Sequence, residues 1–222
     1  MKSNKKKIII EIIISVVGIF LCNFGVLMFN GNLMNSFPLI VKMILMIVMY
    51  WLIALVPIIF CVKNKYKFKD FGFSTNKVLK QVLLGIISSL VMSFIFVVIP
   101  ILIFGKENTY VVSGYNEIWK YIFMLVYYIV SVGLVEEFCF RGYLLNELKK
   151  ISKNNAIPII VTSVLFGFLH IFVGNIIQVI ITSFMGLILV LCKEKIKDYS
   201  LLSLIIAHGI YDWSIIIIAQ ML

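Results

Sequence analysis

Seven apolar runs, each close to the length of a bilayer crossing, follow one another with only short polar links between them. They cover about residues 8–30, 38–62, 80–105, 118–143, 156–173, 175–192 and 199–221. A helix needs about 20 mainly apolar residues to cross the hydrocarbon core. Inside that core every backbone N–H and C=O must find its partner within the protein, and a helix achieves this segment by segment. The expected fold is therefore all-α, a polytopic transmembrane helix bundle of seven spans, with eight as the next count. A single integral membrane domain is expected over residues 1–222, with the chemistry carried by core helices over 118–215. Composition points the same way. The chain is 62% hydrophobic with a mean hydropathy of +1.10, whereas roughly half of a soluble domain is apolar.

The net charge of +10 comes from lysines gathered between the apolar runs. They cluster at 2–7, 63–80, 149–153 and 193–197, whereas the links at 31–37 and 106–117 and the break near Gly174 are nearly free of them. Seven spans with a cytoplasmic N-terminus place every lysine-rich link on the cytoplasmic side, and the C-terminus outside. The charge is thus read as topology in a plasma membrane protein, not as a nucleic-acid surface. The apolar run after Lys7 is too long for a signal peptide and lacks a small-residue cleavage site, so it reads as a retained span. The four cysteines show no C-x-x-C spacing, which argues against a disulfide framework.

An ionisable residue near the bilayer centre costs at least ~2.5–3.5 kcal/mol, so those that occur there are candidates for function. Here they fall in the C-terminal half. Glu136, Glu137 and Arg141 lie in the fourth run, His170 in the fifth, and His208 with Asp212 in the seventh. Arg141 is the only arginine among 20 basic residues, and both histidines of the chain fall inside spans. Lysine therefore serves wherever a plain positive charge suffices. Beside the paired carboxylates stands the one planar guanidinium, which can hold a carboxylate through two parallel bonds. Glu137 and Arg141 are four residues apart, as are His208 and Asp212, so each pair shares a helix face. Glu136 is turned about 100° from Glu137. One carboxylate can pair with Arg141 while the other faces a cavity, a division that suits a general base.

Glu136-Glu137-x-x-x-Arg141, then Phe166-x-x-x-His170, then His208-x-x-x-Asp212, in this order on successive helices, resembles the CPBP family. That family comprises CAAX proteases and bacteriocin-processing or self-immunity (Abi) proteins. The resemblance covers about residues 118–215, with Phe71-Gly72-Phe73 as a weaker upstream element. It implies an intramembrane endopeptidase that cleaves a short or membrane-anchored peptide with water activated by Glu136. His170 would position the water, Glu137 and Arg141 would order the helix, and His208 with residue 212 would stabilise the oxyanion or hold the scissile carbonyl. The CAAX-processing branch usually has Asn where this chain has Asp212. An ionised Asp cannot donate to an oxyanion and would instead orient His208 or help bind a metal. A metal-free mechanism is the reading taken. Zn²⁺ held by Glu136, His170, His208 and Asp212 is the alternative. The expected partners are membrane lipid and a peptide substrate. The lysine- and isoleucine-rich, arginine-poor composition fits an AT-rich bacterial genome, favouring a peptide or bacteriocin leader over a prenylated substrate. Two other classes compete: a non-catalytic bacteriocin self-immunity protein and a proton-coupled transporter.

Depth sets one condition. His170 lies some 14 residues into its run, nearer the outer face than Glu136 or His208. For these groups to converge, the fifth helix must begin near Ser152, or tilt or kink near Pro158.

Overall fold

The computed structural model describes residues 2–32, 36–105, 117–172 and 174–221. Seven principal helices follow in chain order: α1 (Lys2–Asn32), α2 (Leu39–Lys63), α3 (Val78–Phe104), α4 (Ile118–Ile151), α5 (Ala156–Phe168), α6 (Ile176–Lys195) and α7 (Leu201–Met221). A 3₁₀ turn, Phe68–Phe71, lies between α2 and α3 and closes on Gly72 in the left-handed conformation (φ 85°). No strand occurs among the described residues.

Six of the helices are long and apolar enough to cross a bilayer. The exception is α5, whose 13 residues rise only about 20 Å. Seven helices stand where seven spans were expected, but six of them have the length to cross, so the structure supports six spans and not the expected seven. Apolar side chains cover the outer surfaces: Ile40, Leu79 and Leu102 are 72%, 73% and 71% exposed. Soluble proteins rarely expose contiguous apolar surface on this scale, and the protein is an integral membrane protein with lipid as the solvent for these faces.

The chain packs as two compact units. The first holds Met1–Phe73 and Val135–Lys197, hence α1, α2, the C-terminal half of α4, α5 and α6. The second holds Ser74–Leu134 and Asp198–Leu222, hence α3, the N-terminal half of α4, and α7. Small residues permit close helix crossings in both, as is common where lipid removes the hydrophobic drive for helices to associate. In the second unit, a Cβ at Gly133 would lie 2.7 Å from the Ile205 carbonyl oxygen, and one at Gly209 would lie 2.7 Å from Ile129 Cα. The α4–α7 crossing therefore depends on both glycines.

Two stretches of α4, Tyr128–Gly133 and Phe138–Leu144, are wound as π-helix, and so is Phe94–Val98 of α3. The sequence reading took these spans as plain α-helix. Wider turns of this kind are rare and are enriched at functional sites. In α4 they bracket the four residues that include Glu136 and Glu137.

Candidate active site

Glu136, Glu137, Arg141 and His170 belong to the first unit. The α4 backbone points both glutamates inward: Glu136 is 2% exposed, Glu137 and Arg141 are fully buried, and Val135 and Cys139 beside them are buried too. Arg141 Nη1 donates to Glu137 Oε1 at 3.0 Å, the i,i+4 pair read from the spacing, formed even though Arg141 sits in the π-wound stretch. The guanidinium also lies over the Phe166 ring of α5, 4.1 Å from Cζ to the ring centre. Its Nη2 faces Gly186 of α6, where an added Cβ would lie 2.7 Å away. From the C-terminal turn of α6, Lys193 Nζ donates to the Arg141 carbonyl oxygen at 2.8 Å. Arg141 is thus the point on which α4, α5 and α6 meet.

Glu136 takes a different partner. The Tyr50 hydroxyl, on α2, donates to Glu136 Oε1. Glu137 thus takes the guanidinium, as its spacing from Arg141 allows, and Glu136 takes the Tyr50 hydroxyl. Sequence reasoning missed Tyr50. A tyrosine in an apolar run has no signature of its own, and the 86 residues between it and Glu136 put the contact beyond any periodicity.

His170 is placed differently from the expectation. The fifth helix begins at Ala156, not near Ser152, and ends at Phe168, so His170 stands in the turn that follows it. Its Nδ1 lies 3.3 Å from the Phe166 carbonyl oxygen, and its ring packs at 5.5 Å against Phe166. Asn23 of α1 fixes the same turn, with Nδ2 donating to the Leu169 carbonyl oxygen at 2.9 Å. One phenylalanine, Phe166, thus touches both Arg141 and His170.

His208 and Asp212 belong to the second unit, on α7. Nε2 of the buried His208 faces Asp212 Oδ2 at 3.4 Å. This is the arrangement expected if Asp212 orients the imidazole. The helix around them is pinned by Trp213 Nε1, which donates to the Tyr121 carbonyl oxygen at 2.9 Å, and by contact of Ser214 with Ser93.

Two further buried carboxylates escaped the sequence reading. Glu11, 3% exposed, accepts from Asn64 Nδ2 at 2.9 Å and lies near Lys7 and Lys63. Glu147, 1% exposed, accepts from Lys150 Nζ at 2.6 Å and borders a cavity of about 320 Å³ with Tyr66, Asn146 and Lys150. Each stands next to lysines in sequence, which made it look like part of a solvated link. Among the described residues, no three His, Cys, Asp or Glu side chains are gathered as a bound metal requires.

Comparison with known proteins returns one finding of substance. Residues 117–214, a little under half of the chain, match the family model described as type II CAAX prenyl endopeptidase Rce1-like. The matched segment contains Glu136, Glu137, Arg141, His170, His208 and Asp212 and nearly coincides with the 118–215 read from the motifs. No curated protein and no solved structure matches.

Proposed function

From the match of residues 117–214 to the CAAX protease family, we propose that this chain is an intramembrane endopeptidase acting on a membrane-tethered peptide, with Glu136 as the general base. The observation that carries the proposal is the setting of the two adjacent buried carboxylates: Glu137 pairs with Arg141, and Glu136 accepts from the Tyr50 hydroxyl. A buried carboxylate held in place in this way is suited to general base catalysis. Glu136 can then take a proton from water as the water oxygen attacks the scissile carbonyl. The oxyanion collapses, the C–N bond breaks, and the proton passes from Glu136 to the leaving nitrogen.

His170 contributes by orienting the water. His208 stabilises the oxyanion as a donor, and Asp212 fixes its ring. These roles come from the family resemblance. The His208–Asp212 distance of 3.4 Å supports the last of them. In the bilayer the chain makes seven crossings, α5 included, with a cytoplasmic N-terminus. Its substrate is a peptide leader or another short anchored segment.

The test is cleavage of a panel of membrane-tethered peptides, prenylated and unprenylated, by purified protein in lipid vesicles. Chelator-insensitive cleavage is expected, lost by at least about 100-fold in Glu136→Gln, since general base catalysis contributes roughly 10²–10⁴. Cleavage undiminished in Glu136→Gln removes the base assignment. Cleavage lost to chelator and restored by Zn²⁺ replaces it with a metallopeptidase.

A further inference from the structure

The matched segment begins at residue 117, yet one contact to the proposed base comes from far upstream, from Tyr50 of α2. We propose that Tyr50 is a positioning residue for Glu136, so that the reaction centre extends into the N-terminal helices outside the segment matched to the family. The proposal rests on the reading of Glu136 as the base.

Three features carry it. First, the donor is a neutral hydroxyl, and the acceptor is one oxygen of a carboxylate that is 2% exposed. A hydrogen bond to the charged form of an acid favours that form. Second, Tyr50 is well placed to hold its position. The backbone tightens directly after it into a 3₁₀ turn, Leu52–Ala54, whose Ile53 and Ala54 are fully buried. The same turn meets α4 again where the Cys139 thiol approaches the Ile53 carbonyl oxygen at 4.0 Å. This anchors α2 to α4 through a residue three beyond Tyr50 and a residue three beyond Glu136. Third, α1 fixes α2 in turn, because Gly18 of α1 lets Val56 approach so closely that any added Cβ would collide with it. The N-terminal helices therefore present a fixed donor to a fixed acceptor.

In the reaction, the hydroxyl keeps one Glu136 oxygen in place as the carboxylate accepts the proton of water and later delivers it to the leaving nitrogen. Tyr50 itself gives up no proton in the net step.

Tyr50→Phe removes the donor and keeps the ring. Two readouts are measured on full-length protein in lipid vesicles. One is the pH profile of kcat/KM for a tethered peptide. The acid limb is expected to move up by about one pH unit, with kcat falling about tenfold on the plateau and KM within about twofold of wild type. The other is labelling of Glu136 by dicyclohexylcarbodiimide across pH, read by mass spectrometry, with Glu136→Gln as the blank. This reagent attacks protonated carboxyls and reports on Glu136 whether or not any substrate is turned over. Labelling of Tyr50→Phe is expected to persist to higher pH than that of wild type. Replacing Tyr50 by 3-fluorotyrosine, a stronger donor of nearly the same shape, shifts labelling the opposite way. Superimposable labelling curves for wild type and both replacements overturn the proposal. A wild type that cleaves nothing, or a Glu136→Gln variant that cleaves normally, removes the role of Glu136 as base, and with it the positioning role in catalysis. The labelling shift then reports the hydrogen bond alone.

Discussion

Arg141 is the residue on which the first unit turns. Its charge is fully buried, which is tolerable only because Glu137 balances it and the Phe166 ring offers its negative face. Lysine has no planar fork and no flat surface to stack, so Arg141→Lys is not a conservative change here. The expected loss is about 2–4 kcal/mol of stability, toward the value for breaking a buried pair outright, measured as a drop in thermal unfolding temperature in detergent. Gly186→Ala tests the same site from the opposite side. The added methyl meets Arg141 Nη2 at 2.7 Å and Phe166 Cδ1 at 3.0 Å. Overpacking of this kind costs about 1–3 kcal/mol. An unchanged unfolding temperature for both variants would show that the guanidinium is not seated against these groups. The glutamate–arginine pair was legible in the sequence because it is local, and four residues of separation fix it on any helix. The Tyr50 and Asn23 contacts were not, because each joins residues distant in the chain.

At the level of elements, the link between α6 and α7 shows how a surface charge orders a turn. Asp198 adopts a left-handed backbone conformation (φ 69°) and accepts from Lys80 Nζ at 2.7 Å and Lys77 Nζ at 3.1 Å, tying the start of α7 to the start of α3. These two ammonium groups, Lys80 foremost, hold its carboxyl below the usual carboxylate range. A value depressed by folding contributes stability that is fully present above the unfolded value, near ~3.9. That stability is lost as pH falls through the folded value. Asp198→Asn keeps a residue that tolerates the left-handed region and removes only the charge. Its unfolding temperature is expected to lie slightly below that of wild type at neutral pH, and the two are expected to merge as pH falls through the folded value of Asp198. The gap should also narrow at high salt, because the pair is exposed to screening. A constant gap across pH would mean the turn, not the charge, sets the difference. The π-wound stretches of α4 lie beyond sequence reading for a related reason. A run of apolar residues supports α and π winding alike, and the choice falls to tertiary contacts such as that of Lys193 on the Arg141 carbonyl.

For the molecule as a whole, topology turns on α5. Its 13 residues fall short of the roughly 30 Å hydrocarbon core, yet the apolar turn after it, Leu169 to Phe172, extends the stretch toward Asn175. Seven crossings put the termini on opposite faces, whereas six put them on the same face. With the native cysteines replaced, Asn154→Cys is expected to react with a membrane-impermeant maleimide only from the cytoplasmic side, and Asn175→Cys only from outside. Reaction of both from one side would make α5 re-entrant and return the C-terminus to the cytoplasm.

The sequence by itself determined the all-helical membrane architecture, the places of the seven helices, the local pairs Glu137–Arg141 and His208–Asp212, and the family resemblance over the C-terminal half. Hydrocarbon admits few backbone solutions, and a helix fixes the facing of residues four apart whatever surrounds it. Only the tertiary structure decided that Tyr50 reaches Glu136, that His170 stands beyond the end of its helix, and that Glu11 and Glu147 are buried. Each of these depends on which helices lie side by side, and apolar faces of similar composition do not encode that choice in any local pattern.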